Sequence, residues 1–191
     1  PLVRGGALKA IELGYFQRDL VIERKTDNTP VTLADRQAEQ TIRQLIAGRW
    51  PEHAVIGEEY GSQGDTSGLH WIVDPIDGTK SFVCGVPLFG TLLALVDGRE
   101  PLLGVAHFPA LSETVYAARG LGCHWNGRPA RVSSATSPPR SIIATGRRRQ
   151  RVFVHIPARG LVIEKHIALI HRLCRQRKPH GSQGRNLRVC H

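Results

Sequence analysis

The spacing of apolar residues changes near residue 53, and this change limits the chain to a mixed α/β fold. Before it, apolar residues recur every three or four positions, which predicts helices over residues 5–18 and 33–47. After it, short apolar runs alternate with turn residues, which is typical of strands. We therefore expect two N-terminal helices packed on an antiparallel-rich sheet.

Six short strands are predicted, and turn residues separate them. The strands cover residues 54–56, 71–73, 92–96, 102–108, 114–118 and 123–125. Asp97-Gly98 and Asn126-Gly127 are hairpin signals, while residues 61–68 and 133–141 are predicted to be loops. Thr32 is the expected N-cap of the second helix.

Four carboxylates stand where these elements begin or end: Asp35, Glu58, Asp74 and Asp77. Clustered carboxylates repel one another unless a cation lies between them, and hard oxygen ligands suit Mg²⁺ or Mn²⁺. Alone, each of these acids is most often part of an ordinary turn, strand end or helix start. Their joint arrangement predicts a metal site.

The segment from Asp74 to Thr79 carries most of this prediction. Pro75 restricts the backbone, and we expect it to place both aspartates on one sharp turn with the Ile76 carbonyl free to face the same ion. Gly78 and Thr79 follow, and backbone N–H groups at the start of a helix favour a phosphate oxygen. A metal-assisted phosphate site is therefore predicted.

The motifs, taken together, resemble the inositol monophosphatase family of Mg²⁺-dependent phosphomonoesterases. They are PVTLAD at residues 30–35, GEE at residues 57–59 and WIVDPIDGTKSF at residues 71–82. The resemblance spans about residues 5–140. The segments GTKSF (78–82), GVPLFGTL (85–92) and LGVAHFP (103–109) look most like the histidinol-phosphatase branch.

This resemblance implies a role for each acidic residue and for its neighbours. Glu58, Asp74, Asp77 and the Ile76 carbonyl would bind Mg²⁺. Asp35 and Thr79 would order or activate the attacking water.

For the phosphate, the resemblance implies binding by the Gly78 and Thr79 amides. The implied substrate is a small phosphorylated metabolite such as histidinol phosphate, of histidine biosynthesis, or inositol monophosphate. The family commonly forms dimers, so the resemblance allows a homodimer.

The resemblance also implies a layered αβαβα sandwich, of which only the first αβ part is present.

We divide the chain into residues 1–145, the αβ domain, and residues 146–191, a basic tail. Residues 140–191 contain 13 Lys and Arg but one acid, Glu164. The family's second half opens with a Trp-Asp motif whose aspartate binds metal, and residues 141–191 have no aspartate. This abrupt change favours a truncated or frameshifted gene over a natural basic tail.

Two other functions remain open at this point. The chain would be an inactive remnant if the absent half is essential. Alternatively, the tail would bind nucleic acid through salt-sensitive phosphate contacts. The tail has one aromatic residue, Phe153, and therefore no stacking platform, which makes nucleic acid an unfavoured partner.

The sequence indicates a reduced, cytoplasmic protein without a membrane span. Its four cysteines are far apart and form no C-x-x-C pair. No apolar run approaches the roughly 18 residues that a span requires, and residue 1 is not followed by a signal-peptide pattern.

Trypsin should cut this chain first at the arginine run 147–151 and leave a resistant N-terminal fragment. The physical reason is that repulsion among the tail's cations opposes compaction. Time-resolved digestion followed by mass spectrometry measures the order of cleavage. Equal resistance of the tail and of the Asp74 region would show that the tail is packed into the domain.

Overall fold

The computed structural model describes residues 6–19, 21–24, 30–131 and 187–188. These ranges contain three helices, eleven strands and one 3-10 turn. The helices are α1 (Gly6–Tyr15), α2 (Leu33–Arg49) and α3 (Thr79–Val83), and the 3-10 turn covers Pro109–Leu111. The strands are β1 (Ile22–Arg24), β2 (Pro30–Thr32), β3 (Ala54–Gly57), β4 (Gly61–Gln63), β5 (Leu69–Asp77), β6 (Gly90–Asp97), β7 (Glu100–Phe108), β8 (Glu113–Ala118), β9 (Gly122–Trp125), β10 (Arg128–Arg131) and β11 (Leu187–Arg188).

A nine-stranded sheet dominates the structure. Its order is β11-β10-β9-β8-β7-β6-β5-β3-β4, and β1 pairs with β2 separately. Most neighbours are antiparallel, while β3 with β5 and β10 with β11 are parallel. The predicted α/β class with an antiparallel-rich sheet is therefore confirmed.

Helix α2 covers one face of the sheet through the stripe that the sequence predicts. Its fully buried apolar residues are Ala34, Ala38, Ile42 and Ile46. Three of these pack with sheet residues in the main core, which consists of Ala38, Ile42, Ile46, Val55, Trp71, Val73 and Leu93. Leu45, which also fits the apolar spacing of residues 33–47, is exposed because the buried row has turned about 100° away from it by Ile46.

Several predicted boundaries differ from the structure. Helix α1 ends at Tyr15 rather than at residue 18, since Gln17 adopts a left-handed backbone with φ of 59°. The predicted loop 61–68 begins instead with β4, an edge strand paired to β3. None of the helices in the described part of the chain is long and apolar enough to cross a membrane.

Most of the predicted tail lies outside the described residues, as does the predicted loop 133–141. The described exception is Leu187–Arg188, which pairs in parallel with Ala130 and Arg131 of β10. The proposed division at residue 145 stays a prediction.

Helix α1 buries an acidic side chain. Glu12 of α1 is fully buried, and this burial raises the pKa of its carboxyl from 4.5 to about 8. The folded protein therefore holds this proton over a pH range in which the unfolded chain releases it.

Glu12→Gln should remove a pH-dependent loss of stability. Because the folded pKa lies above the unfolded value, the wild type loses stability as pH rises from 4.5 to about 8 and then no further. Relative to Glu12→Gln, the wild type should lose roughly 3 to 4 kcal/mol between pH 5 and pH 8. Urea denaturation at both pH values measures this, with exposed Glu100→Gln as control. A pH-independent difference would contradict a raised pKa.

Candidate functional site

Asp35 is fixed in the first turn of α2 by the residue that precedes the helix. Thr32 is the N-cap, as the sequence predicts, and both its backbone N–H and its hydroxyl donate to Asp35 Oδ2, at 2.8 and 2.6 Å. The Asp35 carboxylate is buried, with 2% of the residue exposed. Both donors of Thr32 thus contact Asp35 Oδ2, and a residue of another helix contacts Asp35 Oδ1.

Thr79, the first residue of α3, reaches this carboxylate from the other side. Its hydroxyl oxygen lies 3.4 Å from Asp35 Oδ1 and 3.1 Å from the Ile76 carbonyl oxygen. A hydroxyl has one proton, so Thr79 donates to one of these acceptors at a time. The structure thus brings Asp35, Thr79 and the Ile76 carbonyl into one hydrogen-bonded group.

Gly78 makes the turn that places Thr79 there. It caps α3 in the left-handed conformation, with φ of 85°, and a Cβ on it would lie 2.9 Å from the Leu88 carbonyl oxygen. Helix α3 is anchored by Phe82, which packs edge-on against Phe89 with ring centroids 4.8 Å apart. Both phenylalanines are buried, so their packing holds α3 and the turn at Gly78 in place.

Asp74 and Asp77 lie on β5 and not on the sharp turn that the sequence predicted. Asp74 pairs with Leu92 of β6, and Asp77 pairs with Gly90, so three steps on β5 match two on β6. This bulge arises at Pro75, because proline has no N–H to donate to the ladder. Asp74 is buried and Asp77 is half-buried.

Glu58 follows β3 directly and lies beside the Asp74 segment in the backbone pairing. Gly57 pairs with Val73 in the parallel β3–β5 ladder, and the Glu58 N–H donates to the Val73 carbonyl at 3.2 Å. Glu58 itself is exposed. Glu58 and Asp74 therefore each follow directly after a paired residue, Gly57 or Val73, on neighbouring strands.

Sequence reasoning missed Glu39, the buried residue of α2 that holds the turn after β3. Its carboxylate accepts the N–H groups of Glu59, at 2.7 Å, and Tyr60, at 3.2 Å. Arg43, one turn along α2, donates to the same carboxylate at 2.8 Å. The four-residue spacing between Glu39 and Arg43 could have identified Glu39, since oppositely charged residues four apart face each other on a helix.

Gly57 is required by this arrangement. A Cβ at position 57 would lie 1.9 Å from Glu39 Oε1, so any other residue there would displace the Glu39 carboxylate from the turn. The first glycine of the GEE motif therefore leaves room for the carboxylate that orients the rest of the motif.

The oxygen donors named above suit a hard divalent cation by their chemistry, because they are carboxylates and a carbonyl. Within the described ranges, however, no group of three or more His, Cys, Asp or Glu side chains is arranged to hold a metal ion. The donor types therefore fit Mg²⁺.

Comparison with known proteins agrees with the motif resemblance. The model of the inositol monophosphatase family matches residues 2–175. The chain belongs to the inositol monophosphatase family. This match runs past residue 140, where the resemblance in the motifs ends.

Two family relatives and one solved structure show how far the similarity extends. A histidinol-phosphatase from Chlorobaculum parvum is 47% identical over 125 residues, which is 65% of this chain and 48% of the relative. A histidinol-phosphatase from Mycobacterium tuberculosis is also 47% identical, over 68% of this chain and 50% of the relative. The structure of an IMPase from Thermotoga maritima superposes with a TM-score of 0.65 at 38% identity, covering 70% of this chain and 51% of that one. The chain therefore spans about half the length of these family members.

Proposed function

We propose that the chain carries the cation- and phosphate-binding part of a Mg²⁺-dependent phosphomonoesterase. The observation that carries this proposal is the hydrogen-bonded group of Asp35, Thr79 and the Ile76 carbonyl, next to the strand that bears Asp74 and Asp77. Family membership supports the same reaction class. Such an enzyme is a phosphoric monoester hydrolase.

In this proposal the acidic residues hold the cation. Asp74, Asp77, Glu58 and the Ile76 carbonyl are the ligands. When bound, Mg²⁺ supplies Lewis-acid stabilisation and lowers the pKa of a coordinated water. The carboxylates balance the positive charge that must lie close to a phosphate.

Asp35 and Thr79 orient the attacking water. While Thr79 donates a hydrogen bond to Asp35 Oδ1, the lone pairs of its oxygen can accept a hydrogen bond from water. Thr32 holds the other Asp35 oxygen, so the carboxylate cannot rotate away without losing two hydrogen bonds. This arrangement fixes both the direction and the acceptor for the water proton.

The Gly78 and Thr79 amides bind the phosphate. A Cβ at position 78 would meet the Leu88 carbonyl, which favours glycine at this turn. The substrate is a small phosphate monoester, and the names of the two relatives favour histidinol phosphate, with inositol monophosphate as the second choice.

An inactive remnant is the second candidate function. It is favoured by the observation that no group of three acidic, histidine or cysteine side chains in the described ranges is arranged for a metal. The chain also covers about half of its relatives.

Release of phosphate from histidinol phosphate distinguishes the two functions. Because these 191 residues do not include the Trp-Asp metal ligand that the family resemblance implies, we expect their turnover to be at least about 100-fold below that of a full-length relative. Residual release that needs Mg²⁺ and is lost in Asp35→Asn supports the enzyme, while no Mg²⁺-dependent release supports the remnant. Turnover equal to that of a full-length relative would contradict the incomplete site.

A further inference from the structure

A buried chain of polar contacts links α1 to the bulge in β5. Thr91 of β6 is fully buried, and its hydroxyl lies 2.9 Å from the Pro75 carbonyl oxygen. The same hydroxyl contacts Glu12 Oε1 closely. The other oxygen, Glu12 Oε2, has no hydrogen-bond partner among the residues that the structure describes.

Counting protons decides which group donates. The Pro75 carbonyl can only accept, and an ionised Glu12 could also only accept, so the one proton of Thr91 could not serve both. A neutral Glu12 has its own O–H. It then donates to Thr91, and Thr91 donates to Pro75, which satisfies every contact in the chain.

The charge of Glu12 leads to the same assignment. An ionised carboxylate with one buried, unpartnered oxygen is costly, whereas the carbonyl oxygen of a neutral acid tolerates such a position far better. Burial also raises the pKa of Glu12 to about 8, so the proton is retained at neutral pH.

Pro75 needs this support because of its place in the ladder. The β5–β6 pairing is irregular between Asp74 and Asp77, and Pro75 is buried within that interval. A buried carbonyl must find a donor, and Thr91 supplies it from the neighbouring strand. The bulge itself sets where the flanking residues lie.

We propose that Glu12 is a positioning residue that stays neutral and donates through Thr91 to the Pro75 carbonyl, fixing the bulge that carries Asp74, the Ile76 carbonyl and Asp77. The relay itself is independent of any activity. Its consequence for cation binding rests on the proposed function.

Two measurements test the relay directly. An infrared difference spectrum at neutral pH, wild type minus Glu12→Gln, should contain the C=O stretch of a protonated, buried carboxylic acid. The ¹⁵N shift of the Ile76 amide reports the hydrogen bond accepted by the Pro75 carbonyl. It should move in Glu12→Leu and Thr91→Val, and should be largely retained in Glu12→Gln and Thr91→Ser, which keep a donor.

Binding of Mn²⁺, followed by electron paramagnetic resonance, tests the consequence. Thr91→Val should weaken binding by roughly 10-fold or more, as is typical for groups that orient metal ligands, while Thr91→Ser should stay near the wild type. Far-ultraviolet circular dichroism checks that each variant is folded. If Thr91→Val does not fold, the Glu12→Gln spectrum still tests the relay.

The outcomes separate the two proposals. A carboxylate band in place of the acid band, or an Ile76 shift in Glu12→Gln as large as in Glu12→Leu, would overturn the relay. An acid band with the expected Ile76 shifts, but no Mn²⁺ binding even in the wild type, would support the relay and refute the proposed function.

Discussion

Glu39→Ala is expected to lower the free energy of unfolding by about 3 to 5 kcal/mol, which is the usual cost of removing one partner of a buried ion pair. The carboxylate is fully buried, and the side chain of Arg43 is only 13% exposed, so the guanidinium would lose its carboxylate partner in a poorly hydrated place and keep only its neutral acceptors, the Gly61 carbonyl and the Gln63 side chain. The N–H groups of Glu59 and Tyr60 would lose theirs as well.

Urea denaturation measures this effect, and the neighbouring residue provides a control. Gln40 is exposed on the same helix, so Gln40→Ala should change stability by less than about 0.5 kcal/mol. Glu39→Gln keeps one acceptor oxygen and should fall between the two. If Glu39→Ala costs no more than Gln40→Ala, the carboxylate does not hold the turn that carries Glu58.

Asp74→Asn is expected to abolish the binding of a divalent cation. The substitution preserves shape but replaces a charged oxygen ligand by a neutral amide at a buried position. Asp97→Asn makes the same chemical change at an exposed position and should leave binding unaltered. Competition with Mn²⁺ compares the two variants, and equal affinities in both would remove Asp74 from the proposed ligands.

Local patterns predicted the parts of the fold that depend on neighbours in sequence. Helix α2 follows from its apolar spacing, and Thr32 with Asp35 follows from capping chemistry. The cores of β6 and β7, with the turn at Asp97-Gly98, follow from alternation and turn residues. Each of these signals lies within a few residues of the structure it produces.

The elements that sequence reasoning missed depend on distant partners. Strand β4 contains no apolar residue, and Arg43 of α2 contacts it through the Gly61 carbonyl and the Gln63 side chain. Strands β1 and β2 have three residues each, and the sequence between them is polar, which is typical of a turn. The parallel pairing of β3 with β5 cannot be predicted from the residues of either strand alone.

The candidate site divides in the same way. Its acidic residues were identified from their motifs, whereas the residues that hold them in place were not. Glu39 acts on residues about 20 positions away, and Glu12 contacts Thr91 across 79 positions. The bulge at Pro75 was mistaken for a turn, because proline indicates interrupted pairing but does not reveal which strand lies opposite.

Calorimetric titration of the chain with Mg²⁺ tests whether these acidic residues bind a cation. In the proposed site Glu58, Asp74, Asp77 and the Ile76 carbonyl supply ligands for one ion, and the chain spans about half of its relatives. We therefore predict a single weak site per chain that disappears in Asp74→Asn. Two tight sites, or binding that Asp74→Asn leaves intact, would contradict it.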